Sequence, residues 1–152
     1  MSKAQHSASK REVCVEEVVY LALLRTTDML SRGVVQVLKK EDLSANQYNV
    51  LRILRGAPDG LACGEIANRM ITRDPDVTRL LDRLEKRRLI ERSRDPQDRR
   101  TVMTKITRNG LKLLARLDEP ILQMHRRQLG SLGTERLQNL QGLLLEARKV
   151  QT

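Results

Sequence analysis

The chain has 152 residues, enough for one domain with a real core. It carries 29 Lys and Arg against 19 Asp and Glu, a formal charge of +10 spread along its whole length, so it attracts phosphate polymers or anionic surfaces at long range. With no Trp, no Phe and only Tyr20 and Tyr48, it lacks the aromatic platform on which single-strand and common RNA binders stack bases, which tilts the choice toward intact double-stranded DNA.

Residues 1–11 mix Ser, Lys, Gln and His without periodicity and predict a disordered tail with no signal-peptide apolar region. Over 12–40, Val15, Val18, Val19, Ala22, Leu30, Val34, Val37 and Leu38 recur at helical spacing. Ser44-Ala45-Asn46-Gln47 is a capping box that opens a second helix, with Tyr48, Leu51 and Leu54 on its core face and Gly56 as its stop. Ala57-Pro58-Asp59-Gly60 is turn chemistry.

Two short helices follow. Residues 65–70 place Ile66, Ala67 and Met70 on one side. Residues 74–87 open with Asp74 as cap and Pro75 at the first helical position, where a missing N–H costs nothing. Val77, Leu80, Leu81 and Leu84 form the buried stripe, leaving Asp76, Thr78, Arg79, Asp82, Arg83 and Lys86 on the other faces. Two helices joined by a turn of this length make a helix-turn-helix, whose second helix can enter a major groove.

Residues 89–93 and 101–107 predict two strands, the second rich in β-branched residues. Between them, 94–100 is a polar loop with Arg94, Arg99 and Arg100, a wing whose basic tip suits a narrow minor groove. Thr107 caps the next helix, with Leu111, Leu114, Leu117, Ile121, Leu122 and Met124 apolar and Pro120 bending it. Gly130 and Gly133 break the run, and Thr134 caps a last helix carrying Leu137, Leu140, Leu143, Leu144 and Ala147. These terminal helices are too apolar for solvated arms, and packing against each other and a second subunit would cover them.

Cys14 and Cys63 make no disulfide framework, and with His6 and His125 they make a poor metal set. There is no Gly-rich phosphate loop and no nucleophile with a base, so neither an enzyme nor a cofactor is expected. No apolar run approaches the roughly 18–20 residues that span a bilayer. The expectation is a cytoplasmic protein.

The run Val77-Thr78-Arg79-Leu80-Leu81-Asp82-Arg83-Leu84-Glu85, followed by Leu89-Ile90-Glu91-Arg92 and then Asp95-Pro96-Gln97-Asp98-Arg99-Arg100, resembles the MarR family of bacterial regulators from about residue 12 to the end. The resemblance implies a mainly α fold with a small β-wing, a winged helix-turn-helix plus terminal dimerisation helices. After the tail, residues 12–152 form one regulator domain, with 44–107 as the DNA-binding lobe and 12–40 and 108–152 as dimerisation helices. It further implies a homodimeric repressor on a pseudo-palindromic operator, released in many members by a small lipophilic or phenolic effector. Asp98 and Arg100 match the family's Asp-x-Arg wing: Arg100 enters the minor groove while Asp98 orients it through a charge-assisted hydrogen bond. Thr78, Arg79 and Arg83 fall on the part of the recognition helix that faces bases and phosphates.

Three positions depart from the family pattern. Arg88 stands where Gly is common, which costs a left-handed cap roughly 1 kcal/mol or ends the helix differently. Pro75 and Asp76 replace Ser or Thr; Asp76 is a carboxylate favoured by the helix dipole or an acceptor for a cytosine amine. Cys63 lacks a cap hydroxyl before it. Two alternatives stand beside the operator-binding reading: a non-specific architectural DNA binder, and a redox regulator sensing through Cys14, whose nearest cations are Lys10 and Arg11. A protein-binding helical adaptor would leave the wing arginines idle. An effector pocket in so aromatic-poor a chain would be lined by Leu, Val, Ile and Met.

Overall fold

The computed structural model describes residues 14–149; the expected tail at 1–11 lies outside them. Six α-helices and three strands follow in the order α1 Val15–Lys39, α2 Ala45–Arg55, β1 Leu61–Ala62, α3 Cys63–Arg69, α4 Val77–Lys86, β2 Ile90–Arg94, β3 Val102–Ile106, α5 Arg108–Leu129 and α6 Gly133–Lys149. A 3₁₀ turn, Gly130–Leu132, separates α5 from α6. No helix among the described residues is long and apolar enough to cross a membrane.

By its contacts the chain divides within α1 into two compact units, Met1–Arg32 and Gly33–Thr152. The described part of the first is helix alone, exposing Val15, Val18, Val19, Tyr20, Leu21, Leu23, Leu24 and Met29.

The second unit holds the core. Leu38 at the end of α1, Tyr48, Leu51 and Leu54 of α2, Ile66 and Met70 around α3, and Leu80, Leu81 and Leu84 of α4 are all buried in one cluster. Leu113, Leu114, Leu117, Ile121 and Met124 of α5 complete it. Leu111 and Leu122, apolar positions of the same helix, are exposed. The apolar stripe of α5 is wider than one buried face, so part of it stays uncovered.

The three-stranded antiparallel sheet has the order β1-β3-β2, with Leu61 opposite Thr104 and Arg92 opposite Thr104 on the other side. The two wing strands sit about one residue from their expected limits. β1 has only two residues, too few for any alternation to announce it.

Local chemistry sets the helix ends. Ser44 and Gln47 form the expected capping box, with Gln47 N–H on Ser44 Oγ at 3.1 Å and Ser44 N–H on Gln47 Oε1 at 3.0 Å. Before α3 only half of such a box exists: Glu65 accepts from the Ala62 N–H at 2.9 Å, because Ala62 has no side-chain oxygen to return the bond. The helix therefore begins at Cys63, two residues earlier than the sequence pattern indicates. α6 likewise begins at Gly133 rather than after a Thr134 cap. α5 accommodates Pro120 within a single helix.

Candidate nucleic-acid interface

The recognition helix, α4, starts later than its sequence indicates. Its N-cap is Asp76, whose Oδ1 accepts the Arg79 N–H at 2.9 Å; Asp74 and Pro75 lie in the preceding turn. Asp74 is not idle. Its Oδ1 takes the Asp76 N–H at 2.9 Å and its Oδ2 takes the Asn46 side-chain amide at 2.8 Å, and these two donors hold its carboxyl below the usual range. Asn49, one turn further along α2, accepts the Ile71 N–H at 2.8 Å. Two asparagines of α2 thus fix the turn between α3 and α4. Their short amides, one on a carboxylate and one on a backbone N–H, leave no periodic mark in a sequence.

The other end of α4 closes in a Schellman motif. Arg88 adopts φ 57, its N–H donates to the Glu85 carbonyl at 2.8 Å, and the Leu89 N–H reaches back to Leu84 at 3.1 Å. Leu84 and Leu89 are both buried, which supplies the apolar contact of this motif. The expected αL cap without glycine is therefore formed. Thr107 then joins α4 to α5: its hydroxyl donates to the Arg88 carbonyl at 2.7 Å and accepts the Gly110 N–H at 3.1 Å as the N-cap of α5. The approach is so close that a Cβ on Gly110 would lie 2.3 Å from the Leu89 carbonyl oxygen.

Recognition helix and wing are joined by Arg92. From β2 its Nε donates to Glu85 at 3.0 Å and its Nη2 to Glu85 at 2.6 Å and Asp82 at 2.5 Å, while its backbone N–H donates to the other Glu85 oxygen at 3.1 Å. This guanidinium holds the Glu85 carboxyl below the usual carboxylate range. Arg92, Glu85 and Asp82 stand in the motif that carries the family resemblance, yet spacing alone gave them no role. An acid pair on a helix, followed by an Arg on the next strand, is the signal that could have found them.

The wing loop is closed from within. Asp95 accepts the Gln97 N–H at 2.8 Å, and its own N–H reaches the Thr101 carbonyl at 2.9 Å. Asp98 accepts the Arg100 N–H at 3.0 Å and the Thr101 hydroxyl at 3.1 Å. Asp98 thus shapes the backbone at Arg100; the charge-assisted bond to the Arg100 guanidinium that the sequence predicts is not formed. The reason is geometric: an Asx turn places the carboxylate on the N–H two residues ahead. Arg94 spans the loop, donating to the Arg99 carbonyl at 2.7 Å.

Carboxylates and cations share this surface, but their hydrogen-bond engagement differs. Asp74, Asp76, Asp82, Glu85, Asp95 and Asp98 all accept from protein donors. Thr78, Arg79 and Arg83 on α4, and Arg99 and Arg100 on the wing, are exposed. Among the described residues no hydrogen bond or ion pair engages the guanidinium groups of Arg79, Arg99 and Arg100. Unlike Arg92, they are left to meet an anion from outside.

A cleft of about 590 Å³ opens beside α4, with Val35 and Leu43 on its apolar side and Lys39, Arg83, Lys86 and Arg87 on its cationic side. Asp42, Ser44 and Gln47 complete its lining. The described neighbour of the Cys14 thiol is the Glu16 carboxylate, an anion where a reactive thiolate needs a cation. Lys10 and Arg11 lie outside the described residues, and Cys63 is half-buried. Among the described residues no group of three or more His, Cys, Asp or Glu could hold a metal.

Comparison with known proteins agrees with this geometry. Residues 43–102, from the end of the first corner to the wing, match the MarR family. The chain is 30% identical over 138 residues to the HTH-type transcriptional regulator PecS of Dickeya dadantii (strain 3937), covering 89% of this chain and 83% of that protein. The crystal structure of a MarR transcription factor from Planctomyces limnophilus superposes with a TM-score of 0.68 at 42% identity, over 88% of this chain and 98% of that one. A mutant MarR from E. coli complexed with operator DNA superposes with a TM-score of 0.77 over 90% of this chain and 99% of that one; at 24% identity that likeness speaks for the fold. With a relative at this identity spanning most of both chains and a winged helix-turn-helix in place, the chain belongs to the MarR family of transcription regulators, a family of regulators and not of enzymes.

Proposed function

We propose that this protein is a cytoplasmic transcription regulator that binds duplex DNA as a homodimer on a pseudo-palindromic operator. The observation that carries the reading is the pair of braced, exposed cationic elements: Arg79 on α4, and Arg99 and Arg100 on a wing that Arg92 ties to the same helix. Thr78, Arg79 and Arg83 reach base edges and phosphates in the major groove, where a good bidentate Arg–guanine pair discriminates by roughly 1–3 kcal/mol. Arg100 and Arg99 enter the adjacent minor groove, with Asp98 and Arg94 shaping the loop that presents them.

The exposed apolar residues of α1 and α6 support the homodimer, because so many on two helices exceed what a monomer commonly leaves in water. Two recognition helices then meet half-sites about one helical turn apart, or a multiple of it. The reading takes it as a repressor, which excludes other proteins from the promoter DNA it occupies. A small lipophilic or phenolic effector bearing an anionic group, seated in the cleft beside Arg83, would release it.

The test is fluorescence anisotropy of a duplex from the gene's own upstream region against a shuffled duplex, across a salt series, for wild type and Arg100→Ala. Preference for the native duplex, weakened at least tenfold in the variant, is expected. Equal binding to both duplexes with the same salt slope would turn the assignment to an architectural binder. No duplex binding even at low salt would remove the winged helix as the functional element.

A further inference from the structure

Arg87, the C-cap of α4, sends its guanidinium to the corner that follows α1. Its Nη1 donates to the Asp42 carbonyl at 2.5 Å and its Nη2 to the Glu41 carbonyl at 3.0 Å. Those carbonyls sit where a helix end gathers partial negative charge, so a cation there is doubly favoured. The corner is itself rigid. Asp42 takes φ 52, the Leu43 N–H returns to Leu38 at 3.2 Å, and Leu38 and Leu43 are buried together, a second Schellman motif formed without glycine. Arg116 of α5 grips the Glu41 carboxylate from another direction, through Nε at 3.1 Å and Nη2 at 2.8 Å.

The corner is therefore a fixed point to which both α4 and α5 are tied. The recognition helix is held at its start by the α2 asparagines, at its middle by Arg92 and at its exit by Thr107. Without Arg87 those restraints keep it folded, but its C-terminal end loses its anchor on the corner. Resting on the DNA-binding reading above, we infer that Arg87 is a positioning residue for operator recognition: without touching DNA, it sets the angle at which α4 is presented. Hydrogen bonds to base edges depend steeply on that angle, whereas attraction to phosphates does not. Its loss therefore lowers specificity and not general affinity for DNA.

The readout is the ratio of affinities for two duplexes. One is selected from a random pool by the wild-type protein, and the other is its shuffled counterpart. The ratio is measured for wild type, Arg87→Met and Arg87→Lys alongside thermal melts. A phosphate contact weakens both duplexes together and leaves the ratio unchanged, so the ratio separates positioning from contact. The expected result is a ratio about tenfold lower in Arg87→Met. Arg87→Lys leaves it lowered, since a single ammonium lacks the planar fork that spans both carbonyls. If Arg87→Met does not fold, the lowered ratio in Arg87→Lys carries the test. An unchanged ratio in the folded variants, or one that Lys restores in full, overturns the inference while leaving DNA binding intact. A wild-type protein that enriches no duplex overturns both.

Discussion

At the exit of the recognition helix a single residue, Arg88, holds the left-handed conformation, with φ 57. The Schellman bonds and the buried Leu84–Leu89 contact force that geometry on a side chain that disfavours it by about 1–2 kcal/mol. Glycine would relieve the strain but would widen the unfolded ensemble by roughly 0.4–1 kcal/mol. Arg88→Gly is therefore expected to stabilise the protein by about 0.5–1 kcal/mol, raising the melting midpoint by about 2 °C. A lower midpoint in a thermal melt would mean that the Arg88 side chain contributes more than its backbone costs. This residue was legible from sequence as a departure from a glycine pattern. Asp76 was legible as a dipole-favoured carboxylate, though not as the cap itself. Asp74-Pro75 offered an equally good cap with proline at the first helical position, but Asp74 is taken up by the Asp76 N–H and the Asn46 amide, and Asp76 receives the Arg79 N–H.

Among the elements, α4 and β2 are linked at their surface by one guanidinium shared by two carboxylates. Glu85 is 38% exposed and Arg92 24%, so solvent screens the pair and its contribution stays below about 1 kcal/mol. The sign of its pH dependence follows from the direction of the shift. Arg92 depresses the folded-state value of Glu85, so the stabilisation is present above the unfolded value of about 4.3 and is lost as pH falls through the lower, folded one. Glu85→Gln should melt earlier than wild type at pH 7, and the two curves should converge only once the pH has fallen through the lowered folded value of Glu85. A gap that persists in acid would place the effect in packing instead. The six helices and the wing strands were legible because their apolar periods are long enough to show. β1 was not, since it exists only through pairing Leu61 and Ala62 with β3, a long-range event without a local signature.

For the whole molecule, the apolar pattern of the terminal helices was plain in the sequence, but not whether one chain covers it. α6 buries no residue at all, and Leu143 is 66% exposed. If α6 lies in the interface between two copies, a charge placed there is desolvated on assembly and opposes it. Leu143→Glu is expected to convert a species of twice the chain mass into one of the chain mass, by light scattering behind a sizing column. It should also abolish preference for a two-half-site duplex. An unchanged mass would move the interface off α6.

Asp95, Asp98 and Arg94 tie the closed wing loop to itself in the free protein, so the conformational freedom of that segment is given up during folding. Association with a minor groove then needs no ordering of the loop, and its affinity is not reduced by that entropy. Cutting one tie, as Asp98→Ala would, leaves every groove-facing cation in place yet shifts the ordering cost from folding to binding. On the proposed reading, the wing meets DNA as a preformed tool and not as a tail that folds on arrival.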